Sequence, residues 1–203
     1  MDSIQKLTEI FSRFPGIGPR QAKRFVYHLL NQNEYSNKQI ADLILDLKKE
    51  TTSCFKCKRF FNNNRHDIQV CHICVSPNRD KSKLMVVAKD VDLENIERSN
   101  GYNGMYFVLG GLLQILEKTP LSKIKQEELL KEIETTPELK EIIIALSANT
   151  EGDHTTDYLK QVLENISTTR QIKISVLGRG LSTGTELEYS DSDTIKNALK
   201  NRE

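Results

Sequence analysis

The chain has 203 residues, 37% of them hydrophobic, a length that allows one large domain or two small ones with a real core. No apolar run approaches the roughly 20 residues that span a bilayer. The net charge of +1 hides an asymmetry: residues 1–83 carry 15 Lys and Arg against 8 Asp and Glu, whereas residues 84–203 carry 14 against 20, so a polyanion, if bound, belongs to the N-terminal part.

Ile4, Leu7, Ile10, Phe11 and Phe14 recur at helical spacing, and Ala22, Phe25, Val26, Leu29 and Leu30 repeat the pattern after a break. The break is Phe14-Pro-Gly-Ile-Gly-Pro19, in which Pro15 ends one helix, Gly16 and Gly18 permit a tight turn, and Pro19 suits the first position of the next helix. A third helix is predicted from Ser36, with Gln39 completing a capping box and Ile40, Leu43, Ile44 and Leu47 on its buried face. The segment has the pattern of a helix-hairpin-helix motif. A Gly-x-Gly hairpin at a helix N-terminus offers backbone N–H groups and the positive end of a dipole to a phosphate, and Arg20, Lys23 and Arg24 can bracket the same backbone. Such contacts hold DNA without reading its sequence. The alternative is an ordinary corner between two helices.

All four cysteines fall within 21 residues, as Cys54-x-x-Cys57 and Cys71-x-x-Cys74. Two facing Cys-x-x-Cys turns form the closed tetrahedral sulfur cage of a structural zinc site. A pair of disulfides would need an oxidising compartment, and the start Met-Asp-Ser-Ile-Gln-Lys has neither the basic end nor the apolar stretch of a secretory signal. Free redox thiols are the other alternative. His66 and His72, in or beside the quartet, read as bystanders.

Beyond the cysteines, residues 84–88, 105–109, 141–146 and 172–177 read as strands, and 90–98, 124–134, 154–166 and 191–200 as helices. Strands with near-continuous apolar cores alternating with helices predict an α/β fold with a mainly parallel sheet covered on both faces. Glu151 and Asp153 follow a strand, at the edge where such sheets keep their sites, and Asp90 and Asp92 follow another. These carboxylates could gather Mg²⁺, or Glu151 and Asp153 could simply favour a helix N-terminus. No Gly-x-x-x-x-Gly-Lys-Ser/Thr loop is present, which argues against a P-loop ATPase, and no Ser/His/Asp order is visible.

Five segments, in order, resemble the bacterial RecR family of recombination mediators over essentially the whole chain. They are Phe14-Pro-Gly-Ile-Gly-Pro-Arg-Gln-Ala-Lys-Arg24, the cysteine quartet, Tyr106-Phe-Val-Leu-Gly-Gly111, Ala145-Leu-Ser with Glu151-Gly-Asp-His-Thr-Thr-Asp-Tyr158, and Arg179-Gly-Leu-Ser-Thr-Gly-Thr-Glu-Leu-Glu-Tyr-Ser-Asp191. The resemblance implies a helix-hairpin-helix DNA-binding unit over 1–52, a four-cysteine zinc finger over 53–79 with one Zn²⁺ per protomer, a Toprim domain over 80–177 and a C-terminal oligomerisation segment over 178–203. It implies a non-enzymatic mediator of recombinational DNA repair, cytoplasmic and nucleoid-associated, that forms a dimeric or tetrameric ring on DNA. Such a mediator acts with RecO, and in other settings RecF, to load RecA. By the same resemblance Arg20 and Arg24 contact DNA, and Glu151 and Asp153 are the acidic pair associated with RecO. One departure matters. The family usually closes its first Toprim strand with Val-Val-Glu, and here the run is Val86-Val-Ala88-Lys89. The rival reading, a metal-dependent Toprim nuclease or topoisomerase-like enzyme, needs the missing carboxylate.

Overall fold

Residues 2–63, 68–114, 124–178, 180, 181, 184 and 186–200 are described by a computed structural model. The chain divides into two compact units, Met1–Thr51 with Asn62–His66, and Thr52–Phe61 with Asp67–Glu203.

In the first unit the 3.6-residue apolar repeat produces α1 (Ser3–Ser12), α2 (Pro19–Leu30) and α3 (Glu34–Glu50). Asp2 caps α1 by accepting from the Gln5 N–H. Helix α3 starts at Glu34, not at the expected Ser36, because extended Asn33 takes the capping role and accepts from the Ser36 N–H. Phe11 meets Phe14 and Phe25 edge-on, at ring separations of 5.7 and 6.1 Å. The core is otherwise small: α2 buries Ala22 and Val26, and α1 and α3 bury nothing. Ile40, Leu43, Ile44 and Leu47, expected inside, are 44, 64, 63 and 62% exposed.

After α3 comes a short hairpin of β1 (Thr51–Ser53) and β2 (Phe60–Asn62), most of it in the second unit, and then the single turn α4 (His72–Val75). Then come β3 (Asp80–Val87), α5 (Asp90–Ser99), β4 (Gly104–Val108), α6 (Gln126–Glu134), β5 (Glu141–Ala145), α7 (Thr150–Arg170), β6 (Lys173–Val176), a 3-10 turn at Leu187–Tyr189 and α8 (Ser192–Lys200). Four strands form a wholly parallel sheet in the order β4-β3-β5-β6, with Leu84 opposite Met105 and Ile142, and Ile142 opposite Ile174. The expected α/β class is observed. Strand β3 starts at Asp80, four residues ahead of expectation, because exposed Lys81 and Lys83 interrupt the apolar signal.

Successive side chains of the central strands point to opposite faces, and each face has its own core. Leu84, Val86, Phe107, Ile142 and Ile144 pack with Leu129 and Ile133 of α6 and Leu159 and Leu163 of α7. Met85, Val87, Tyr106, Val108 and Ala145 pack instead with Leu93 of α5, Ile73 and all four cysteines. The cysteine segment is therefore a wall of one sheet face. The chain leaves β3 toward α5 on that face and β5 toward α7 on the other, so the direction of the crossovers switches between these adjacent strands.

Candidate metal centre and nucleic-acid interface

The cysteine knuckle is the best-defined site. One atom from each of Cys54, Cys57, Cys71 and Cys74 lies within 4.8 Å of the others, and all four residues are buried and unbridged. The Cys57 and Cys71 Sγ atoms are 3.6 Å apart, close to the roughly 3.8 Å edge of a tetrahedron with ~2.3 Å metal–sulfur bonds. The Cys71 N–H donates to Cys54 Sγ at 3.3 Å, the outer bond that orients a thiolate ligand. Crowding separates the thiols in acidity. Contacts from Cys57, Cys71 and Cys74 drive Cys54 far below the usual thiol range, and the other three sulfurs drive Cys74 far above it. Only a cation lets all four ionise together, so this donor set fits a soft divalent metal.

The knuckle is tied to the α/β sheet by named bonds. The Val108 N–H donates to the Cys57 carbonyl at 2.8 Å, joining the knuckle to β4, the sheet's edge strand. The Phe60 N–H donates to Asp90 Oδ1 at 2.7 Å, and Lys125 Nζ donates to the Lys58 carbonyl at 3.3 Å. Lys58 adopts φ 62°, a left-handed conformation costly for a residue with a side chain, held on both sides by the Lys58 N–H bond to Cys54 O and the Lys125 contact. Below the knuckle, Arg79 makes a two-point pair with Glu97, lies over the Tyr106 ring at 5.8 Å and donates to Gly104 O. Sequence reasoning singled out neither Phe60 nor Arg79, whose partners are 30 and 18 residues away along the chain.

In the first unit the hairpin has the expected geometry. Gly16 takes φ +76°, which disfavours any other residue. Gly18 is the N-cap of α2 at an ordinary φ of −82°, and a Cβ placed there would meet nothing within 4 Å. Neither its conformation nor its packing demands glycine. No side chain caps α2, whose Pro19 occupies the first turn, so the early N–H groups have no capping acceptor. Arg20, Lys23 and Arg24 are all exposed, and Arg24 Nη1 reaches Gln21 Oε1 at 3.3 Å.

Glu151 and Asp153 are not in a loop before a helix: α7 begins at Thr150, so both lie in its first turn, where carboxylates favour the dipole. Asn149 caps the helix through the Gly152 N–H. Gly152 is sterically required, since a Cβ would stand 1.9 Å from Ser147 O, and this close approach seats the first turn of α7 against the loop that follows β5. Asp90 and Asp92 are not gathered with them into a metal site. Asp90 accepts from Phe60 N and Asp92 from Lys89 N, and the cysteines are the only cluster of three or more metal-ligating side chains among the described residues. Ala88, at the end of β3, is 2% exposed and brings a methyl where a Toprim carboxylate would stand. His66, residues 115–123 and Arg179 lie outside the described residues. Among those described, no helix is long and apolar enough to cross a membrane.

Three family models match the chain in succession: "RecR, helix-hairpin-helix" over residues 4–48, "Toprim domain" over 82–178 and "RecR, C-terminal" over 180–203. Among curated proteins, the chain is 35% identical to recombination protein RecR of Bifidobacterium adolescentis, over 98% of this chain and 95% of that one. It is 36% identical to RecR of Bacteroides thetaiotaomicron, over 98% and 92% of the two chains. It is 34% identical to RecR of Legionella pneumophila, over 100% and 96%. With similarity running through both compact units and in the same order as the hairpin, the sheet and the C-terminal segment, the chain belongs to the RecR family of recombination proteins.

Proposed function

We propose that this protein is a non-enzymatic, sequence-independent DNA-binding mediator of recombinational repair that works as a homo-oligomeric ring or clamp. In this reading it acts with RecO, and in some settings RecF, to promote RecA loading. The observation that carries the reading is the hairpin, where an uncapped helix N-terminus, a glycine that the chain itself does not require and three exposed cations converge. A Cβ-free Gly18 leaves the backbone open to a phosphate, and Arg20, Lys23 and Arg24 supply about three phosphate contacts per protomer. Contacts this few bind weakly alone, and several hairpins on one DNA path multiply them.

The uncovered face of α3 supports assembly. A helix whose leucines and isoleucines are more than two-fifths exposed, in a unit burying so few side chains, is completed best by a second copy. Zn²⁺ is the metal proposed for Cys54, Cys57, Cys71 and Cys74, one per protomer, because all-thiolate tetrahedral sites are its structural form. In that role it braces the wall of the sheet and takes no part in a reaction. Glu151 and Asp153, flanking Gly152, are proposed as the acidic surface that meets RecO. The missing acid at Ala88 and the backbone bonds that occupy Asp90 and Asp92 favour this scaffold over a magnesium-dependent nuclease.

The test is Arg20→Ala with Arg24→Ala. Duplex affinity should fall and the log–log salt slope should shrink by about 1.8, at ~0.9 per lost contact, with metal content and solution mass unchanged. Gly18→Ala, costing about 1 kcal/mol or less of stability, should weaken the same binding. Undiminished binding in both variants would sink the hairpin assignment.

A further inference from the structure

A second feature of the α/β unit has the chemistry of a nucleobase site. At the carboxyl ends of β3 and β4 lies an open cleft of about 430 Å³, within the size range of small-ligand pockets. Val108 and Ile124, both buried, give it an apolar floor, and Phe60, 60% exposed, forms one wall. Lys89 and Lys125 line it from two different elements. Two carboxylates, Asp90 and Glu128, also face it, but Asp90 Oδ1 is held by the Phe60 N–H. Ala88, buried next to the lining Lys89, carries a methyl, so this position adds no further negative charge beside the cleft.

The surroundings extend this chemistry. Phe55, on the same cysteine knuckle, is also 60% exposed, and Lys58 Nζ lies 4.9 Å from its ring centroid. Lys58 is joined to the cleft's Lys125 through its carbonyl. Exposing two phenylalanines is unfavourable unless something covers them. Here both are carried on the cysteine knuckle, Phe60 is pinned by its backbone bond to Asp90, Lys58 stands over the Phe55 ring, and Lys89 and Lys125 line the same cleft as Phe60. Aromatic rings interleaved with cations form the platform on which unpaired bases stack while the backbone is neutralised alongside. A duplex offers no free base face to such rings.

We propose that this cleft binds single-stranded DNA, with a base stacked on Phe60 over the Val108 and Ile124 floor and the adjacent phosphate between Lys89 and Lys125. The protein then carries two DNA contacts of different kind: the hairpin, which takes backbone from any DNA, and the knuckle cleft, which takes only unpaired bases. The proposal rests on the reading of the chain as a DNA binder, but not on the hairpin's part in it.

The chain contains no tryptophan, so Phe60→Trp places a single reporter in the wall. Its emission should be quenched by oligothymidylate, and left unchanged by a duplex of equal length and by thymidine monophosphate at the same nucleotide concentration. Phe60→Ala should lose about tenfold in single-strand affinity while keeping its affinity for duplex, and Lys89→Gln should reduce the single-strand salt slope by ~0.7. With Arg20→Ala and Arg24→Ala added, duplex binding reports on the hairpin alone, and tryptophan quenching by single strands should persist at higher concentration. No quenching at saturating oligothymidylate, equal quenching by duplex, or quenching by the mononucleotide alone would each overturn the proposal. Equal metal content among the variants controls for folding, and the Trp readout stands should Phe60→Ala fail to fold.

Discussion

The two compact units solve the problem of burying apolar surface in opposite ways. The α/β unit encloses a core on each face of its sheet, one closed by α6 and α7 and the other by α5 and the cysteine knuckle. The helical unit leaves the apolar stripe of α3 in solvent, and among the described residues its three helices bury only Ala22 and Val26. Amphipathic periodicity alone does not decide burial, because a stripe needs a facing surface and three helices of this length supply one only between α1 and α2. The first unit leaves apolar surface that its own helices do not cover, whereas the second is held by its own side chains and packs the four-cysteine cluster into its core.

This contrast can be broken most forcefully by removing the metal. Chelation, or Cys57→Ser, takes away a site worth on the order of 10 kcal/mol of folding free energy and dissolves one wall of a sheet core, so the α/β transition should collapse in calorimetry. Duplex binding should fail only as that unit unfolds. A persistent high-temperature transition in chelated protein would show that the core does not need its wall.

A paired core substitution sharpens the contrast at intermediate size. Leu163→Ala, at a fully buried position between α7 and the sheet, should cost about 3 kcal/mol in denaturant unfolding. Leu43→Ala on α3 should cost less than about 0.5 kcal/mol at concentrations where the protein is monomeric, and should instead shift the solution mass toward smaller species. Equal costs would mean that α3 is buried within its own chain.

The smallest expected loss within the α/β unit concerns Arg79 and Glu97. Burial pushes the Glu97 carboxyl upward, but the hydrogen bonds and charge of Arg79 outweigh it and hold the group below the usual carboxylate range. Because the folded pKa is depressed, the pair's stabilisation is complete above the ordinary carboxylate value near 4.3 and fades as pH falls through the folded value. Glu97→Gln should cost about 2 kcal/mol at neutral pH and flatten the acid limb of the stability curve below about pH 4. An unchanged acid limb would remove the pair from the account.

Much of this was legible in the sequence, for identifiable reasons. The quartet at Cys54, Cys57, Cys71 and Cys74 and the Gly16 turn carry their geometry in spacing, and both are observed as expected. The buried centres of β3, β4 and β5 announce themselves as apolar runs. What stayed hidden was set by partners distant in sequence or by competing local caps. Asn33 took the place expected of Ser36, Asn149 began α7 four residues early, and Lys81 and Lys83 masked the start of β3. The packing of the knuckle into a sheet face could not be read at all, because it depends on Val108 reaching Cys57 across 51 residues of chain.

That single bond has a further consequence. Strand β4 is a terminal strand of the sheet, and its Val108 donor is occupied by the knuckle. An open strand margin is a template on which other chains can add, and folded proteins keep such margins covered. The cysteine knuckle thus also occupies part of that margin. Were the knuckle to detach, the expected result is less a loose protein than one that recruits its neighbours through the uncovered margin of β4.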